Sequence, residues 1–206
     1  MVFMRMTRSR SNGSRRSQAK AATHGRIVAS AARLIRRRGL AAASVPAVMR
    51  GAGLTIGGFY AHFRSKRAMD AEVLRTTLAQ RAGIWFAGLE GSTGLAWVAR
   101  AVKRYLSAAH RDAAGEGCPL PAILSELARA DRGTRDAASE AIEGYVNEFA
   151  ARLPDAPGLT ARDRALATLA LCIGGVALAR AGRDPAVQDE ILRACAEWAL
   201  PELRGA

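Results

Sequence analysis

Residues 53–66 read Gly53-Leu54-Thr55-Ile56-Gly57-Gly58-Phe59-Tyr60-Ala61-His62-Phe63-Arg64-Ser65-Lys66. Gly53 stands where a tight turn needs a residue free to adopt positive φ. Thr55 follows as an N-cap, its hydroxyl placed to accept from an unpaired N–H of the next helix. Phe59 and Phe63 are four apart, so they share a face and can anchor a short helix to a core. Tyr60 and His62 fall off that face. Gly57 and Gly58 weaken a helix by roughly 1 kcal/mol each relative to Ala, so the pair suggests a surface that something approaches closely. Ser65 is placed to cap a further helix beginning near Lys66. Taken alone, the segment also fits an ordinary surface helix with bulky anchors.

The upstream residues narrow the choice. Ile27, Val28, Ala31, Leu34 and Ile35 form a helical apolar stripe over residues 26–38. Arg33, Arg36, Arg37 and Arg38 occupy the other faces, in the last turns where cations favour the helix dipole, and Gly39 ends the helix. Ser44 can cap a second helix with Pro46 in its first turn, where the missing N–H is harmless. Val45, Val48 and Met49 give that helix an apolar side, and it stops at Gly51-Ala52-Gly53. Three short helices result, the second and third joined by a brief turn. This is a helix-turn-helix, whose last helix lies in a DNA groove.

Residues 23–69 resemble the N-terminal domain of the tetracycline-repressor (TetR) family of bacterial transcription regulators. The resemblance rests on Thr23, Ile27, Ala31, Gly39, Ser44, Val45, Val48, Gly53, Thr55, Gly57, Tyr60, His62, Phe63, Ser65 and Lys66, in order and without a gap. The stretch Leu54–Lys66 is similar to the GGFYAHF-SK variant found in one branch. Three positions depart from the usual pattern: His24 replaces a basic residue, Ile56 a polar one and Gly58 a hydroxyl residue. Ile56 and Gly58 lie on the expected recognition helix, so no base code carries over.

Charge supports a polyanionic partner independently. Residues 1–69 hold 15 of the 31 Lys and Arg and none of the 18 Asp and Glu. The net charge of +13 is therefore a property of the first third of the chain. Residues 1–22 are rich in Arg and Ser and carry no apolar stripe. They are expected to form a basic disordered tail that attracts phosphates, and they lack the apolar h-region of a signal peptide. Residues 23–69 are then the DNA-binding domain and 70–206 a larger effector-binding and dimerisation domain.

An all-α fold is expected throughout, with no strand-like alternation. The spacing predicts a helix from Lys66 to about Gly83, then five at 94–110, 118–130, 134–152, 160–181 and 185–203. The longest apolar run, Ala165–Ala179, is 15 residues, short of the ~20 that span a bilayer, so no membrane partner is expected. The three cysteines, 118, 172 and 195, have no metal-motif spacing. They fit a reduced, cytoplasmic compartment. No metal or cofactor is expected.

In TetR-like proteins the last two long helices pair with their two-fold mates, which implies a homodimer through Leu166, Leu169, Ala170, Ile173, Gly174, Ala177 and Leu178. Gly174 and Gly175 would permit close approach of another helix. The family's ligand cavity lies among the middle helices, which makes Trp85, Phe86, Trp97, Tyr105, Tyr145 and Phe149 candidates to line it, although each also suits plain core. An apolar cavity of this kind would take a hydrophobic or aromatic effector. Cys118, just ahead of a helix, is a candidate reactive thiol for an electrophile or oxidant; the alternative is a small apolar residue at a helix start.

Together these features describe a DNA-binding transcriptional regulator, most simply a repressor released from a palindromic operator by a small effector. Thr55, Tyr60, His62 and Lys66 would contact phosphates. Ile56, Gly57 and Gly58 would face base edges, and Arg26 and Ser44 would add backbone contacts. An architectural DNA-coating protein is the alternative. An enzyme is disfavoured by only three histidines and by the lack of a metal cluster, phosphate loop or nucleophile elbow.

Overall fold

The computed structural model describes residues 8–200, and no strand occurs among them. Helix α1 spans Arg8–Arg38. Residues 8–22 therefore continue this helix rather than forming a disordered tail; residues 1–7 lie outside the described residues. Arg15, Arg16, Gln18, Ala19, Lys20, Ala21 and Ala22 are good helix formers without a proline. Extending a helix already nucleated by the packed turns costs little, so an apolar stripe was not required. Ile27, Ala31 and Ile35 are fully buried, as their spacing predicts.

Helix α2, Val45–Gly51, begins at Ser44, whose hydroxyl accepts from Ala47 N at 3.4 Å. Both turns flanking it need a left-handed residue: Gly39 has φ +83° and Gly53 φ +67°. The expected recognition helix is a single 3₁₀ stretch, Ile56–Ala61, and the Thr55 hydroxyl makes no capping bond. Two glycines in six residues weaken an α-helix, and the stretch takes the tighter 3₁₀ form, which serves as a short connector and is here longer than its usual three or four residues. Phe59 and Phe63 anchor it, stacked at 5.6 Å and buried.

Helix α3, Lys66–Phe86, is capped by Ser65, which accepts from Ala68 N at 3.1 Å. It carries Met69, Val73, Leu74 and Leu78 along one buried side and joins head to body. The apolar core is continuous across the expected boundary at residue 70.

The expected helix at 94–110 divides into α4 (Gly94–Tyr105) and α5 (Ala108–Asp112). Ser107 caps α5 by accepting from His110 N at 3.2 Å. α6 is short, Leu120–Leu127. α7, Arg132–Ala150, starts two residues before expectation because Asp131 accepts from both Thr134 N and its hydroxyl. α8, Ala161–Ala181, opens with a capping box between Thr160 and Asp163. α9, Pro185–Ala199, completes the described helices, and the expected extension to 203 passes outside them.

α8 is long and apolar enough to cross a membrane by length and composition alone, but half of its most apolar stretch is buried inside the protein. Its buried side includes Ala165, Leu169, Cys172, Ile173, Val176 and Ala179.

Candidate nucleic-acid interface and body cavity

In the head, Thr55, Ile56, Gly57, Gly58 and Tyr60 all face outward; Ile56 is 52% and Tyr60 70% exposed. A Cβ added at Gly57 would meet nothing within 4 Å, and one at Gly58 only Met49 Cε at 3.6 Å. The fold itself therefore does not require either glycine for space. Ser44 is exposed at the start of α2.

Three expected phosphate contacts are placed differently. The Lys66 ammonium donates to Asp70 Oδ2 at 2.6 Å and to Leu40 O at 3.2 Å, with the Asp70 side chain only 9% exposed. Burial pushes the Asp70 carboxyl above the usual range, and Lys66 opposes that shift. Lys66 is thus engaged in bracing the head and is not a free cation for DNA. His62 is half-buried with Nδ1 unpartnered, its ring 5.8 Å from His24, and burial lowers its pKa. Arg26 is exposed, but it donates to Ala52 O at 2.5 Å and so holds the inter-helix turn. Exposed cations near the 3₁₀ stretch include Arg50, Arg64 and Arg67 and, from α1, Lys20 beside Ala61 and His62. Sequence reasoning passed over them because single basic residues look alike whether they flank a DNA surface or only solvent.

The body brings most of the aromatic candidates into one cluster. Trp85 is 4.4 Å from Tyr105, 5.4 Å from Tyr145 and 5.4 Å from Phe149, and Phe86 is 5.0 Å from Trp97. They then separate by role. Trp85, Tyr105, Cys118 and Tyr145 line a cavity of about 280 Å³. Phe86 and Tyr145 line a second, of about 290 Å³, between α3 and α7. Trp97 and Phe149 line neither; they are buried core, and Arg152 stacks over Trp97 at 4.2 Å.

The first cavity is more polar than expected, because Arg81, Arg104, His110 and Glu116 also line it. His110 is held as a strap: Nδ1 donates to Tyr105 O at 2.7 Å, and Nε2 accepts from Cys118 N at 3.1 Å. Burial lowers its pKa to about 4, so it is neutral at pH 7. Cys118 is not activated. It lies two residues ahead of α6 and is 3% exposed, and burial pushes its thiol up. Burial likewise raises Cys172. Among the described residues no group of His, Cys, Asp or Glu could hold a metal ion.

The expected dimer residues divide by face. Leu166, Ala170, Gly174 and Leu178 are exposed and Ala177 is partly so, whereas Leu169 and Ile173 are buried in the chain's own core. Gly175 does permit a close approach, but of this chain's own residues: an added Cβ would lie 2.9 Å from Cys195 Sγ and 3.0 Å from Leu106. On α9, Val187 and Trp198 are exposed.

Residues 27–73 match the family model for bacterial regulatory proteins of the tetR family. The whole fold is similar to solved structures of a TetR-family regulator from Agrobacterium tumefaciens (TM-score 0.72, 20% identity, covering 87% of this chain and 98% of that one) and of reduced E. coli NemR (0.72, 19%, 86% and 95%). A TetR-family regulator from Cytophaga hutchinsonii gives 0.72, 20%, 89% and 96%. No curated protein matches. Residues 27–73 thus carry a domain like that of bacterial tetR-family regulatory proteins, within a fold similar to those of solved TetR-family regulators.

Proposed function

We propose that this protein is a homodimeric, cytoplasmic repressor that binds a palindromic operator and is released when a small molecule enters the body cavity. The observation that carries the reading is the outward face of Ile56, Gly57, Gly58 and Tyr60, which lacks internal packing reasons for its glycines. Ile56 would touch a thymine methyl. Thr55, Ser44 and Tyr60, with Arg50 and Arg64, would hold phosphates and set register. The segment Gly57–Lys66 supports the GGFYAHF-SK branch. Pairing through the exposed stripe of α8 and the exposed residues of α9 would set two heads about one DNA turn, ~34 Å, apart.

The hydrogen bonds between body and head suggest how release would travel. Gly115, beside the cavity-lining Glu116 and Gly117, accepts from Arg36 Nε at 2.7 Å. Glu126 of α6 accepts from Leu40 N at 2.9 Å and Ala41 N at 2.8 Å. Leu40 O in turn accepts from Lys66. The loop after α1 is therefore held from the body by Glu126 and from the head by Lys66. An effector that binds two states of this clasp with different affinity would couple to DNA. The test is anisotropy of labelled operator DNA with wild type and Glu126→Ala. Wild type is expected to release on ligand addition and the variant to respond less. Equal release by both would remove the clasp from the mechanism.

A further inference from the structure

We infer that the cavity beside Cys118 binds a small organic acid, with its carboxylate held by Arg81 and the Tyr105 hydroxyl and its apolar body against Trp85, Tyr145 and Ile84. This rests on the effector-binding role proposed for the body.

Five buried side-chain polar atoms lack a nitrogen or oxygen partner among the described residues, and three of them belong to residues at this cavity: Arg81 Nε, Arg180 Nη1 and the Tyr105 hydroxyl, whose one neighbour is the Cys118 thiol, a weak hydrogen-bonding group. Arg81 and Tyr105 line the cavity. Arg180 stands behind its wall, donating Nε to Arg111 O at 3.0 Å and Nη2 to His110 O at 2.8 Å, which leaves the third group over. A Cβ on the cavity-lining Gly117 would lie 3.1 Å from Arg180 Nη2, so this guanidinium is at the wall itself.

Buried donors without acceptors are costly, and several at one cavity call for an acceptor supplied from outside. Two guanidinium groups with donors left over call for an anion. The neighbours do not cancel that demand. His110 is bonded at both ring nitrogens to backbone, and Arg104 donates through Nη1 to the carbonyls of Trp85 and Ala87 at the end of α3. Glu116 is the one carboxylate of the lining, and it also faces Arg36.

The rest of the wall is apolar, so a bare inorganic anion would leave aromatic surface unfilled. About 280 Å³ is just below the usual range for drug-sized ligands, which favours a single-ring or short branched acid over a long chain.

The test titrates the full chain with benzoate, phenylacetate and 4-methylpentanoate, with their primary amides and with inorganic phosphate, by calorimetry and tryptophan fluorescence. At least one acid is expected to bind saturably and perturb Trp85, with its amide at least tenfold weaker and phosphate not binding. Arg81→Met should weaken that acid roughly ten- to hundredfold, as for a lost hydrogen bond to a charged group; Arg81→Lys should lose less, and Tyr105→Phe several-fold. Should Arg81→Met fail to melt cooperatively, Tyr105→Phe and the acid–amide pair decide. Binding of none of the acids, or amides binding as tightly, overturns the inference. Operator binding measured in the same samples separates the two claims. Acid binding without DNA release keeps the ligand class and overturns the effector role. Release by the amide alone does the reverse.

Discussion

At Ile56, Gly57, Gly58 and Tyr60 the head turns its candidate DNA-facing residues outward with little packed over them. In the body, Arg81, Tyr105, Cys118 and Tyr145 converge inward from four separate parts of the chain. The first surface is contiguous in sequence, and its working feature is missing side-chain bulk. The second exists only after α3, α4, α5 and α7 have packed, and its working feature is polar groups left without partners. A surface of the first kind can be altered without unfolding the protein. One of the second kind shares its residues with the core.

The sharpest way to separate the two regions is to remove an anchor from one of them. Phe59 is fully buried, and Phe59→Ala should cost about 3–5 kcal/mol. Chemical denaturation should show that loss and DNA binding should vanish, while the near-UV signal of the Trp85 cluster persists below the lowered melting point. Loss of both signals together in native buffer would show that head and body do not keep separate integrity.

Gly57→Ala probes the outward surface without touching packing. Nothing lies within 4 Å of the added carbon, and Ala is the better helix former, so stability should hold or rise by up to about 1 kcal/mol. Operator affinity should nonetheless fall about tenfold or more. Unchanged affinity would mean that the DNA does not come close at this position.

The body's His110 carries a pH signature. Its folded pKa of about 4 lies below the ordinary value of 6.5. Its contribution is therefore full above pH 6.5 and is lost as pH falls from there toward 4, where the unfolded chain takes up a proton that the fold refuses. The melting temperature should drop across that window, and His110→Gln should make the drop shallower. His62, also lowered, keeps the variant's profile from becoming flat.

The smallest effects concern salt. Arg64→Ala should lower the slope of log K against log salt by about 1. Lys66→Ala should change that slope less, because its ammonium is already paired with Asp70.

The head was legible because its determinants are local. The Ser44 cap, the positive-φ glycines 39 and 53 and the Phe59–Phe63 pair each follow from neighbours a few residues away. The pairing of Lys66 was not legible, because its partner Asp70 lies just beyond the acid-free stretch, and whether a side chain turns inward depends on the loop it meets at Leu40. The same limit hid the helix over residues 8–22, which extends from packed turns downstream instead of relying on its own apolar face. In the body, the six aromatic candidates pack into one cluster, but only packing decides that Tyr105 lines a cavity while Phe149 fills the core. At Cys118 burial pushes the thiol up against the pull of the nearby helix start, which favours the small apolar residue over the reactive thiol.

The central claim is that the exposed Ile56–Tyr60 face reads a specific site as part of a dimer. It is tested most directly by selecting bound genomic fragments with the purified protein and footprinting them. A single protected palindrome, with half-sites about one helical turn apart and with affinity lost on Gly57→Ala, is the predicted result. Uniform protection along every fragment, at the same affinity for wild type and variant, would contradict it and make the protein a DNA-coating one.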